Sequence, residues 1–352
     1  MGRAGFVAGA CGYRAAMHLP TPRGPLSELV VHSLATGSPV AATGHPGPVG
    51  DPLSDEDLHL ALWVLYELHY RGFDGVDADR EWDPDLLAVR RSLETVFEGA
   101  LRAHTRTTVE AAREQSEDVV EQIRHVIELD DGPDLATFIH RQATVEQLRD
   151  VLVQRSLYTL KESDPTSFVL PRVDGPVKVA LAELQYDEYG GGRADRLHAG
   201  LFARALDGCG LDATYGGYVD QAHGTTLAVN NAMSLFGLHR RLRGAALGHL
   251  ATFEATSTMP CRRIAAGIRR LELDDAVWDY FDEHVEADAV HEEVALRSIC
   301  GRAVADEPAL RDDVLLGAAT CLALDAAAAE DLLARWQVPG PVHTPAAERV
   351  PA

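Results

Sequence analysis

Apolar residues recur at three- and four-residue intervals along most of the chain, and runs of alternating β-branched residues are missing. That pattern predicts helices throughout. Residues 1–52 are the exception: they are dense in Pro and Gly, lack a sustained apolar stretch, and are expected to be a flexible leader with little regular structure. Ser54 then opens a helix in capping-box fashion, with Asp57 three residues on and Gly72 as its terminator. Asp83-Pro84 is a second start, since proline suits the first helical position, and the pattern stays helical to about residue 129 (Leu86, Leu87, Val89, Leu93, Val96, Phe97). Asp130-Asp131-Gly132-Pro133 breaks it and divides an N-terminal helical arm, 53–132, from a main domain, 133–337.

Within the main domain, helices are expected from Thr144 to Glu162, through Glu183 to Tyr189, and again from Ala194 after the interruption at Gly190-Gly191-Gly192. A long helix follows from Thr225 to Thr256, Pro260 begins another, Asp274 to about Ala305 is long again, and residues 309–336 supply the last. The Pro-rich stretch 338–352 reads as a disordered tail. No internal repeat is found, and no window approaches 18 apolar residues, so no membrane span is expected. The fold class is all-α.

Charge narrows the partners. Thirty-two Lys+Arg against 54 Asp+Glu give a net charge of −22, without a basic stripe, which disfavours nucleic acid. Five scattered cysteines without a C-x-x-C pair suit reduced, mostly buried thiols in a cytoplasm.

The chemistry concentrates in residues 278–291. His284, Asp288 and His291 stand at i, i+4 and i+7, within about 60° of one another on a helix. Two imidazoles and a carboxylate form a borderline N,O set suited to Fe(II), Mn(II) or Zn(II). A solvated acidic face is the alternative, because Asp282, Glu283, Glu286, Glu292 and Glu293 share the segment. Upstream, Glu254 interrupts a small and apolar run, where an unpaired carboxylate is costly to bury. Further upstream lie Glu188 and His198. Ten residues apart, they would splay by about 80° on a straight helix, but the three glycines between them permit a kink that brings them together. An ordinary Gly-rich turn between two helices is the competing reading.

The ordered set Glu188…His198, then Glu254, then His284-x3-Asp288-x2-His291 resembles the haem-oxygenase-like diiron oxidases, a family of iron-containing redox enzymes, over roughly residues 140–305. The resemblance implies two layers of helices around a central pocket: a haem-oxygenase-like multi-helix bundle carrying the additional N-terminal arm. It implies two Fe(II) ions, one held by Glu188, His198 and His284 and the other by Glu254, Asp288 and His291. A further carboxylate from the preceding helix, Glu146, would complete the set, with Glu183 as its rival. It also implies dioxygen as co-substrate, a bridging peroxide, an external electron donor, a small amino-bearing substrate such as an amino acid or amine, and a homodimer formed through the N-terminal helices.

Three other readings remain open from sequence. One is a ferritin-like ferroxidase or iron store, although Glu-x-x-His occurs only at Glu56…His59. Another is a metal-free, thiaminase-like hydrolase of the same fold, although no cysteine has an activating neighbour in sequence. The last is a helical binding protein whose acidic helices face water. His59, Trp63, Glu67, His69 and Tyr70 form an aromatic-rich stripe that fits partner packing better than a site. Arg262-Arg263 and Arg269-Arg270 offer either a carboxylate clamp or a basic face, Asn230-Asn231 either a pocket lining or helix-polar contacts, and His223 and His249 either ligand-orienting groups or core histidines.

Overall fold

The computed structural model describes residues 17–40, 44 and 47–338, with the side chains of 286–290 left aside. The described residues are helical with no strand among them. In chain order the helices are α1 (Pro25–Thr36), α2 (Glu56–Glu67), α3 (Pro84–Gln115), α4 (Val119–Glu128), α5 (Leu135–Arg141), α6 (Val145–Thr159), α7 (Asp164–Ser167), α8 (Gly175–Glu188), α9 (His198–Gly208), α10 (Gly224–Leu238), α11 (Arg243–Arg270), α12 (Asp275–Glu293), α13 (Arg302–Asp306) and α14 (Arg311–Arg335). A π-helical segment, Val294–Gly301, joins α12 to α13.

Several helix starts follow from the capping chemistry read in the sequence. Asp83 Oδ1 accepts from the amides of Asp85 and Leu86, with Pro84 at the first helical position of α3. Thr144 and Gln147 exchange bonds across the first turn of α6. For α2 the expected Ser54/Asp57 box is replaced. Asp55 is the cap, and Asp57 instead accepts from the Leu26 and Ser27 amides, holding the start of α1.

The leader is therefore not all irregular: α1 lies within it and packs on α2. Nor does α2 stand apart as an arm. Leu58, Leu60, Leu62, Trp63, Val64 and Tyr66 are all buried, and one apolar core runs from Met17 through α2 to Leu333 in α14. A helix apolar on every side belongs in an interior, and the stripe expected to meet a partner meets α10 and the rest of its own chain. The Asp130–Pro133 break is a loop between α4 and α5. The tail from residue 339 lies outside the described residues.

The layout differs from expectation at two further points. The helix expected over Thr225–Thr256 is two helices, parted at an extended His239 and a 3-10 turn, Arg240–Leu242. The end of α10 is satisfied from far away, because the Arg172 guanidinium donates to the carbonyls of Gly237 and Leu238. Pro260 does not begin a helix but lies inside α11, where it removes the bond that residue 260 would give Thr256.

Helices α11 and α14 pack closely against each other in the core. A Cβ on Gly248 would strike the Val314 carbonyl, and one on Gly317 the Ala245 carbonyl, so the two backbones touch through glycine. Helix α12 packs between α11 and α9. This arrangement puts Glu254 of α11, His198 of α9 and the histidines of α12 toward a common interior. The described cysteines, Cys209, Cys261, Cys300 and Cys321, are all buried and unbridged. Burial raises the thiols of Cys209 to about 11 and Cys300 to about 12.

Candidate metal centre

Glu188 is the last residue of α8 and His198 the first of α9. They are brought together by a turn rather than by a kinked helix. Gly190, Gly191 and Gly192 all take positive φ, and a Cβ on Gly190 would run into the backbone of Arg193 and Arg196. The turn reverses the chain and sets His198 Nδ1 3.1 Å from Glu188 Oε2.

Helix α12 carries His284 and His291 on one buried face, as their spacing predicts. His284 Nδ1 donates to the Tyr280 carbonyl at 2.8 Å, so its Nε2 is the nitrogen aimed inward, 3.6 Å from Glu162 Oε1. His291 Nδ1 lies 3.5 Å from Glu254 Oε2 and 3.7 Å from Glu188 Oε1, while its Nε2 faces Asp187 Oδ2 at 3.4 Å. Asp288 shares this helix, and its side chain lies outside the described residues.

The ligand atoms fall into two groups. Glu162, Glu188, His198 and His284 form one, Glu188, Glu254 and His291 the other, and within each group the atoms lie within 4.8 Å of one another. Glu188 belongs to both. All six residues are buried. His284 Nε2, His198 Nδ1 and His291 Nδ1 have no aligned hydrogen-bond partner, although each is buried among carboxylate oxygens. Buried polar atoms left in that state on α9 and α12, beside carboxylates from α8, α11 and the turn after α6, are what a cation would satisfy.

Glu162 was not singled out from the sequence. It sits three residues beyond α6, next to Ser163, a non-glycine residue at φ 67°. Glu146, chosen instead, is exposed in the first turn of α6 and outside both groups, and Glu183 is exposed on α8. The one available signal was distance along the chain: Glu162 is nearer to Glu188 than Glu146 is.

Neighbours hold these side chains in place. Tyr280 O–H donates to both Glu162 oxygens, at 2.9 and 3.1 Å, while its carbonyl fixes His284, so one residue orients two candidate ligands. Ser163 Oγ donates to Glu188 Oε2 at 3.2 Å. The rings of Tyr280 and Phe202 close one side of the centre. The other candidates serve elsewhere. Arg263 pairs with Asp134 at 2.8 Å, Arg270 donates to the carbonyls of Ile139, His140 and Ala143, and Arg269 pairs with Asp282. His223 pairs with Asp331 at 2.8 Å, Asn231 donates to the His59 carbonyl, and His249 is a core histidine whose burial lowers its pKa to about 4.

Charge within the metal-free centre is balanced by protons. Burial opposes the charge of Glu188, but the imidazoles of His198, His284 and His291 outweigh it and hold the carboxyl below its ordinary range. Burial opposes protonation of His291, yet Glu254, Glu188 and Asp187 raise it to about 9; Glu162 likewise raises His284 well above 6.5. A raised imidazole stabilises the fold below its unfolded value and ceases to do so as pH climbs through its folded value. Metal-free protein should therefore lose thermal stability between pH 6.5 and about 9 as His291 deprotonates. A bound cation displaces those protons, so metal should bind more tightly across the same interval. Melting curves with and without metal read both trends, and a flat profile for the metal-free protein would contradict the pairing.

An all-α bundle with a buried carboxylate–histidine cluster is an arrangement suited to metal binding. A family model described as iron-containing redox enzyme matches residues 149–326, half of the chain, and the protein belongs to that family. It is also 29% identical over 148 residues to the nitrosourea synthase of Streptomyces achromogenes subsp. streptozoticus, a match covering 42% of this chain and 31% of that protein. The match thus spans about a third of the relative's length. None of the described helices is long and apolar enough to cross a membrane.

Proposed function

We propose that this protein is a non-haem diiron enzyme that activates dioxygen and oxidises a small amino-bearing substrate. Glu162, Glu188, His198 and His284 would hold one iron, and Glu188, Glu254 and His291 the other, with Asp288, three residues before His291 in sequence, joining the second. The observation that carries the reading is Glu188, shared by two buried ligand groups whose three imidazole nitrogens lack aligned partners. Three carboxylates among those six side chains favour iron or manganese over the softer metals. When bound, two ferrous ions would supply electrons for the reduction of dioxygen.

The chain's own residues set the conditions. Tyr280 and Ser163 fix the directions of Glu162, Glu188 and His284, and the packed rings around them exclude bulk water. Support for a redox reaction comes from the family, and support for a nitrogen-bearing substrate from the relative named nitrosourea synthase. An external electron donor and a homodimer complete the proposal.

Loading with Fe(II) without oxygen should give about two irons per chain, and exposure to dioxygen should then consume it and produce a transient visible absorption band. Incorporation of less than one iron, or iron uptake without oxygen consumption, would exclude the reading.

A further inference from the structure

The end of α2 reaches the metal centre through a buried ion pair. Lys161, next to Glu162, is among the most deeply buried side chains of the protein, with 1% of its side chain exposed, and its Nζ pairs with Glu67, whose side chain is 0% exposed. Tyr215 O–H donates to the other Glu67 oxygen at 2.6 Å. The Tyr70 ring lies 4.2 Å beneath the Lys161 ammonium, and Arg71 donates to the Leu160 carbonyl at 3.2 Å while stacking 4.0 Å over the Tyr215 ring. Glu67, Tyr70 and Arg71 thus close around the turn that carries Leu160, Lys161 and Glu162.

Tyr280 holds the Glu162 carboxylate from one side of that turn, and the ion pair holds its backbone neighbour from the other. The turn lies beyond α6, its amides make single-turn bonds to Tyr158 and Thr159, and Ser163 holds the left-handed φ that aims its hydroxyl at Glu188. A buried pair is a poor source of stability, because desolvation offsets most of its attraction. Its effect here is to fix position.

We infer that Glu67, Lys161 and Tyr215 are positioning residues for the metal centre: by clamping the turn they set Glu162, so that a helix outside the matched region 149–326 governs occupancy of the Glu162 group. This rests on Glu162 being a metal ligand.

Co(II) titration of the full chain, followed by its visible bands, reads the two groups separately. The wild type should take up two ions; uptake of none would remove the metal reading itself and is distinct from the outcomes below. Glu67→Gln combined with Lys161→Met removes both charges together and leaves no uncompensated ion. The double variant should keep its helicity, bind one Co(II) as the wild type does, and bind the other about tenfold or more weakly. Wild-type affinity at both groups overturns the inference, and so does equal weakening of both, which would signify general loosening. Should the double variant not fold, Tyr215→Phe removes only the hydroxyl. Selective weakening of one ion in that variant supports the inference, and unchanged binding overturns it.

Discussion

Glu188→Ala should leave a folded protein that binds neither iron. Glu188 is the one side chain common to both ligand groups, with Oε2 3.1 Å from His198 and Oε1 3.7 Å from His291. Removing an outer partner of a metal ligand typically costs about 10- to 100-fold in affinity, so removing a shared ligand should exceed that at both positions. The fold itself is less exposed to the change. The lost carboxylate was costly to bury, and His291, whose proton Glu188 helps to hold, can release it instead of remaining as a stranded charge. Metal analysis and circular dichroism together decide the matter. Retention of one full equivalent of iron would show that Glu188 is not shared.

Glu162→Ala and Glu146→Ala should behave in opposite ways. Loss of Glu162 takes a carboxylate from the first group and leaves His284 Nε2 facing the space it occupied, so iron content should fall from about two to about one per chain and oxygen consumption should cease. Glu146 is exposed on the opening turn of α6, and its replacement should change neither. If the Glu146 variant lost iron while the Glu162 variant kept it, the assignment of the first group would be wrong.

The contrast between these two glutamates marks where sequence reasoning stops. Helical periodicity reports which residues share a face of one helix, and so it put His284 and His291 on one face and flagged Glu254 as an acid in apolar company. It could not place Glu162, which is outside any helix and is set by Ser163 and by the Lys161–Glu67 pair, a contact spanning 94 residues. Glu188 and His198 were legible only as an ordered set, because the three left-handed glycines fix their approach and no regular spacing does. Helix boundaries fail for the same reason. The end of α10 is capped by Arg172 from 65 residues away, and α11 runs on through Pro260, which the local pattern reads as a helix start. The leader looked structureless because the cap for α1 belongs to Asp57 on α2. Fold class needed only local pattern; the centre needed contacts between distant segments.

The buried cysteines bear on how long such an enzyme would last. Partly reduced oxygen attacks the thiolate, not the thiol. With Cys209 held near pKa 11, Cys300 near 12 and Cys321 pushed by burial well above the ordinary thiol range, almost none of these three sulfurs is ionised at neutral pH. Oxidant escaping the centre toward Cys209, Cys300 or Cys321 would meet little thiolate to attack, and the helices that carry those sulfurs would be spared damage from within.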